Sequence, residues 1–149
     1  MRESEIGDVS DLLCESYAWL GKREGLSGPQ VDYLVSERGS PETVRRESRK
    51  QQYLVADDGI RLTGMVSVSG SEITKLYVRP AFMGCGVGRG LYEAAEALIA
   101  SGGHTRVSLG AFSSAVAFYE RMGLRAVGHK AATGALSGLT IRLMEKPLY

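Results

Sequence analysis

The chain has 149 residues, 18 basic and 17 acidic side chains for a formal net charge of +1, and 44% hydrophobic residues. That length is about one domain, expected to span 1–149. The composition excludes global disorder, and the near-zero charge gives no general case for binding nucleic acid or a membrane surface.

Two cysteines, Cys14 and Cys85, cannot build a disulfide scaffold or a cysteine zinc site, so no metal is expected. Met1-Arg2-Glu3-Ser4-Glu5 lacks the apolar run of a signal peptide. With both thiols expected free in a reducing compartment, the reading is a cytoplasmic protein. The apolar-rich segment Ala94–Ala100 is interrupted by Glu96 and too short to span a bilayer.

In chain order, Asp8 to Arg23 carries Val9, Leu12, Leu13, Ala18, Trp19 and Leu20 at helical spacing. Gly25 to Pro29 breaks it, and Gln30 to Glu37 predicts a second helix with Val31, Leu34 and Val35 on one stripe. Ser40-Pro41 is a helix start, serine as cap and proline in the first turn. The basic run Arg45–Lys50 on that helix reads as a solvated face. Then the periodicity changes. Gln52–Ala56 and Ile60–Val68 flank Asp57-Asp58-Gly59 as a hairpin, and Glu72–Val78 is a third strand stopped by Pro80. A helix from Gly88 to Ala100 ends at Gly102-Gly103. Arg106–Gly110 is a strand, Ser114–Met122 a helix, and Leu124–Lys130 and Leu139–Met144 are closing strands. The fold class is a mixed α/β sheet.

Glycine, at 19 residues, has nearly twice its usual share of about 7%, and four of these residues alternate in Met83-Gly84-Cys85-Gly86-Val87-Gly88-Arg89-Gly90, between strand and helix. Glycines there let main-chain N–H groups converge on an anion at a helix N-terminus. A dinucleotide fingerprint Gly-x-Gly-x-x-Gly would place its third glycine on Arg89 or Leu91, and no glycine is followed by the Lys-Ser/Thr pair of a triphosphate loop. Both common nucleotide readings fail.

The segment Leu76-Tyr77-Val78-Arg79-Pro80 followed by Gly84–Leu91 resembles the pyrophosphate loop of the GNAT superfamily of acyl-CoA-dependent N-acyltransferases, Gln/Arg-x-x-Gly-x-Gly/Ala after a strand. Ala115-Val116-Ala117-Phe118-Tyr119-Glu120-Arg121-Met122-Gly123-Leu124 is similar to that family's Ala-x-x-Phe-Tyr-Glu-Lys-x-Gly-Phe block, and Met144–Leu148 to its usual end. Met83 departs from the family's Gln or Arg, and Phe112 from its Asn, for which Ser113 or Ser114 is the substitute.

The resemblance implies a mostly antiparallel central sheet, flanked by helices and splayed around the cofactor between the strand ending at Val78 and Arg106–Gly110. It implies acetyl-CoA as co-substrate, its pantetheine arm pairing with backbone near Leu76, Tyr77 and Val78. The pyrophosphate then lands on Gly84, Cys85, Gly86, Val87, Gly88, Arg89 and Gly90, with Met83, Ser113, Phe118 and Tyr119 also at the cofactor. Tyr119 is implied as proton donor to the departing sulfur, and an N–H near Tyr77 or Val78 as oxyanion donor. Glu72, six residues before Val78, occupies the place of the base glutamate in the histone-acetylating branch; simple alternation puts it on the face of Thr74, Leu76 and Val78.

The expected function is acetyl transfer to a primary amine in a ternary complex. The alternative is a non-catalytic acyl-CoA-binding sensor or scaffold. Small-molecule and protein amines stay open, as does oligomeric state, with a homodimer the commonest closed assembly. Tyr17, Trp19 and Tyr33 fall in the front helices, where the family builds its acceptor pocket, and Trp19 is read as core. His104 and His129 have no carboxylate or cysteine pattern around them and are read as structural or exposed.

Overall fold

A computed structural model describes residues 1–148. The long helix α1 runs Ile6–Glu24 and turns Val9, Leu12, Leu13, Tyr17 and Leu20 inward; of the predicted apolar stripe only Ala18 faces solvent. The second predicted helix divides. Helix α2 covers Gly28–Tyr33, capped by Ser27 and Gln30, and Leu34–Arg38 continues as one π-helical turn, a widened turn often found at functional sites. Helix α3, Pro41–Ser48, starts as expected, the Ser40 hydroxyl accepting from the Thr43 N–H at 3.2 Å.

Strands β1 (Gln52–Asp57) and β2 (Leu62–Ser69) form the antiparallel hairpin, with β3 (Glu72–Val78) next to β2. The strand predicted from Ile60 starts two residues later. The Asp58 carboxylate accepts from the N–H groups of Ile60 and Arg61, which extends the turn and leaves Ile60 92% exposed. Helix α4 spans Val87–Ser101, β4 Arg106–Ala111, α5 Val116–Arg121, β5 Arg125–Ala131 and β6 Thr140–Pro147. The predicted helix from Ser114 begins as a 3-10 turn, Ser113–Ala115, before α5.

The six strands make one sheet in the order β1-β2-β3-β4-β6-β5, antiparallel except where β3 meets β4. Each face carries its own core. On one, α4 and α5 pack Leu91, Tyr92, Ala95, Ile99 and Tyr119 against Val66, Val68, Ile73, Val107, Leu109 and Met144. On the other, α1, Leu34 and Val44 cover Tyr53, Leu62 and Met65.

Strand β3 contains the irregularity that matters for the site. Ser67 pairs with Lys75 but Val68 with Ile73, so Thr74 is an extra residue, a β-bulge. Ile73, Leu76 and Val78 all face the α4 core, whereas Tyr77 packs on the α1 side and Lys75 reaches Glu47 and Tyr53 there. The expected alternation is therefore broken. Glu72, adjacent to Ile73, does not share the face of Leu76 and Val78, because the bulge shifts the parity by one residue.

Candidate active site

Strands β3 and β4 are joined at one end only. They share a single registered pair, Glu72 with Ser108, fastened by the Ser108 N–H donating to the Ser71 carbonyl at 3.0 Å. Towards Val78 and Ala111 they part, and a cleft of about 1500 Å³ passes through the opening from one face of the sheet to the other. The Arg79 N–H donates to the Thr63 carbonyl on β2. Strand alternation then turns the main-chain groups of Leu76 and Val78 to the opposite edge, into the opening, and those of Tyr77 towards β2. Of the two expected oxyanion donors, Val78 is the one that faces the cleft.

The glycine loop lies at the mouth of this opening. Gly84 and Gly86 have φ of 79° and 85°, a left-handed backbone that glycine adopts without a steric penalty. No main-chain N–H from Gly84 to Arg89 has a partner among the described residues, and the first helical bond of α4 is Gly90 N–H to Gly86 O at 3.0 Å. Six consecutive donors are left at the positive end of a 15-residue helix. Gly90 spends its donor in the helix. A Cβ on Gly88 would lie 3.3 Å from the Phe118 ring and 3.5 Å from Val78, so a side chain there would crowd the loop against α5 and β3.

Leu76, Tyr77, Val78, Met83, Gly84, Gly86, Gly88, Arg89, Phe118, Tyr119 and Glu72 all line the cleft. Cys85, Val87, Gly90 and Ser113 do not: Cys85 points to solvent, Val87 packs on the α4 core, and the Ser113 hydroxyl donates to the Glu24 carboxylate at 2.7 Å. Ser114 lines the cleft in its place, its N–H also donating to Glu24, at 3.0 Å. Phe112 is half-buried against the α1 core. Glu72 is exposed, on the cleft wall at the joined end of the strands. Trp19, expected in the core, is half-buried against the α1 core with part of its surface on the cleft wall, because it shares the cleft-facing stripe of α1 with Ser16 and Leu20. His104 and His129 are exposed.

Tyr119 is 7% exposed, its ring set edge-on to Phe118 at 5.1 Å. Burial, reinforced by the neighbouring Tyr77, pushes its hydroxyl well above the ordinary tyrosine range. It holds its proton at neutral pH, as a proton donor must. Tyr77 packs edge-on to Tyr17 at 5.3 Å, and burial pushes it up to about 12 while the positive charge of Arg38 pulls the other way. Arg38, from the π-helical turn, and Ser16 also line the cleft. No motif marks either residue, and folding of the front helices over the sheet brings them to the site. The Lys75–Glu47 ion pair, with the Tyr53 hydroxyl donating to Glu47 at 3.1 Å, was likewise invisible in sequence. Among the described residues no cluster of histidine, cysteine and carboxylate could hold a metal, and no helix is long and apolar enough to cross a membrane.

A sheet opened between two parallel strands, with a glycine-rich helix start at its mouth and a buried tyrosine across it, defines an acyltransferase-like architecture. The family model of the GNAT acetyltransferase domain matches residues 23–146, and the chain belongs to that family. A GCN5-related N-acetyltransferase from Rhodopseudomonas palustris is similar in fold, with a TM-score of 0.90, 22% identity, and 99% of this chain and 92% of that one covered. The PaiA N-acetyltransferase of Thermoplasma acidophilum, solved in complex with coenzyme A, has a TM-score of 0.78, 20% identity and coverages of 99% and 95%. An aminoglycoside 6'-N-acetyltransferase, also complexed with coenzyme A, has a TM-score of 0.69, 17% identity and coverages of 97% and 91%. No curated protein sequence matches the chain significantly.

Proposed function

We propose that this protein moves an acetyl group from acetyl-CoA to a primary amine by direct transfer in a ternary complex. The observation that carries the proposal is the row of six unpartnered N–H groups, residues 84–89, at the mouth of the β3–β4 opening. Such a row at a helix start suits a pyrophosphate. The remaining residues fit the rest of the ligand. Leu76 and Val78 turn free main-chain groups to the opening, where the amides of a pantetheine arm can pair as an added strand. Two fold neighbours hold coenzyme A, which supports the same ligand here.

Bound acetyl-CoA supplies a thioester, an acyl donor activated towards amines. The loop and the β3 edge hold the donor, and holding of this kind provides a large share of such rates. The Val78 N–H faces the carbonyl oxygen as negative charge develops. Tyr119 gives its proton to the departing sulfur. An alkylamine with a pKa near 10.4 is only about one part in a few thousand neutral at pH 7, so a base is useful. Glu72 takes the amine's proton through intervening water from its solvent-exposed place on the wall. Neither cysteine lines the cleft, in keeping with a route that has no acyl-enzyme.

Thermal unfolding with acetyl-CoA, and with NAD and ATP as controls, tests the reading. Ligand at about 100 times its dissociation constant adds roughly 2.7 kcal/mol, a rise in Tm of about 5–11 °C for this size. The expected result is a shift with acetyl-CoA alone and thiol release once an amine is added. Absence of any shift removes the reading. A shift without thiol release against any amine leaves an acyl-CoA-binding module.

A further inference from the structure

We infer that the acceptor is an amine that itself carries a carboxylate, and that Arg38 binds this carboxylate; the inference rests on the acetyl-transfer reading above. Charge is divided along the cleft. Its two lining carboxylates, Glu72 and Glu145, stand together at the joined end of the strands, each a cross-strand neighbour of Ser108. Glu145 is already within 3.7 Å of Arg106. On the α1 face, the wall residues of α1 and the π-helical turn include Arg38 and no acid, and the β5–β6 hairpin carries Lys130, paired with Ile141 four residues before Glu145 on β6. Lys130 lies two residues before Ala132, which follows β5 and packs on the α1 core.

Neither cation has an ion-pair partner among the described residues. The Arg38 guanidinium lies over the Tyr33 ring, 5.8 Å from its centroid, a contact that orients the group without neutralising it. On the same wall Ser16 is 2% exposed, and its hydroxyl has no hydrogen-bond partner. A buried hydroxyl left in this way is costly unless a ligand completes it. A carboxylate accepts from both kinds of donor. The planar guanidinium offers it a two-pronged fork, and a hydroxyl adds a third bond. Trp19 and Leu136 give the carbon skeleton between amine and acid an apolar surface to lie on. A polycationic acceptor instead meets two unneutralised like charges, which selects against polyamines and aminoglycosides.

Trp19 is the only tryptophan, so its fluorescence reports on this wall. The protein, with CoA present, is titrated with glycine, β-alanine, 4-aminobutyrate and glutamate, each paired with its carboxamide, and with spermidine. At least one amino acid is expected to bind about tenfold or more tightly than its amide, and more tightly than spermidine. Arg38→Gln should bring that acid-to-amide ratio to about one while keeping the acetyl-CoA thermal shift; Arg38→Lys, which keeps charge but loses the fork, should fall between. Equal affinity for acid and amide, preference for spermidine, no binding by any amino acid, or a ratio untouched by Arg38→Gln each overturns the inference. Loss of the wild-type acetyl-CoA shift is a separate result, and it is the cofactor reading that then fails.

Discussion

The two faces of the sheet are built from different materials. Under α4 and α5 the core is almost wholly aliphatic, the Tyr92 hydroxyl makes no hydrogen bond to a described residue, and one ion pair, Lys146–Glu96, borders it. Under α1 and α3 the core includes Tyr17, Tyr53 and Tyr77 and is bordered by the Lys75–Glu47 and Arg79–Glu15 pairs. The Thr74 bulge contributes to this asymmetry by sending Lys75 and Tyr77 to the α1 side while Leu76 and Val78 stay on the other. The contrast separates two tasks. The close-packed aliphatic face holds the glycine loop against Phe118. The polar face offers unpaired groups to the acceptor proposed above.

If the α4 face is the rigid one, the largest effect should follow from opening it. Ile99→Ala should cost about 2–5 kcal/mol, a fall in Tm of about 4–20 °C, with the acetyl-CoA shift retained in the folded fraction. A fall under about 2 °C would show that this face is not the stable one. Next is Tyr119→Phe, which keeps the ring against Phe118 and removes only the proton. Turnover should drop about 100-fold at saturating substrates, with acetyl-CoA affinity within about twofold; equal turnover removes Tyr119 from the chemistry.

Glu72→Gln should have a smaller effect, because the bulge places the carboxylate away from the face of Leu76 and Val78. Activity should fall by less than the roughly 100-fold that is the low end for a directly positioned base, and the acidic limb of the kcat/KM profile should flatten. A profile identical to wild type clears Glu72 of the base role. The smallest effect concerns the seam between the halves, where Glu24 at the end of α1 accepts from Ser113 and Ser114. Burial raises its carboxyl, but these hydrogen bonds outweigh it and leave the group below its ordinary value. A depressed acid stabilises the fold above its unfolded pKa of about 4.3 and loses that contribution as pH falls through the lower folded value. Glu24→Gln should therefore lower Tm by about 1–3 °C at pH 7 and leave it unchanged near pH 2. The same decrement at both pH values would show that the carboxylate's charge is not what matters.

Sequence alone determined the local features. Serine caps, proline starts, alternating strands and the spacing of Gly84, Gly86 and Gly88 all act over fewer than ten residues, and the structure has them within a few positions. The two blocks around Val78 and Tyr119 carried the resemblance to the family whose model matches the chain, because each is a contiguous run of residues. Tertiary structure decided what depends on distant partners. The Thr74 bulge is a two-against-one count between β2 and β3, so reading β3 by itself put Glu72 on the wrong face. Ser113 bends to Glu24 from 89 positions away, and Arg38, in a segment without any motif, reaches the cleft only because the front helices fold across the sheet. Local pattern fixes conformation, but the polar environment of a side chain is set by neighbours far along the chain.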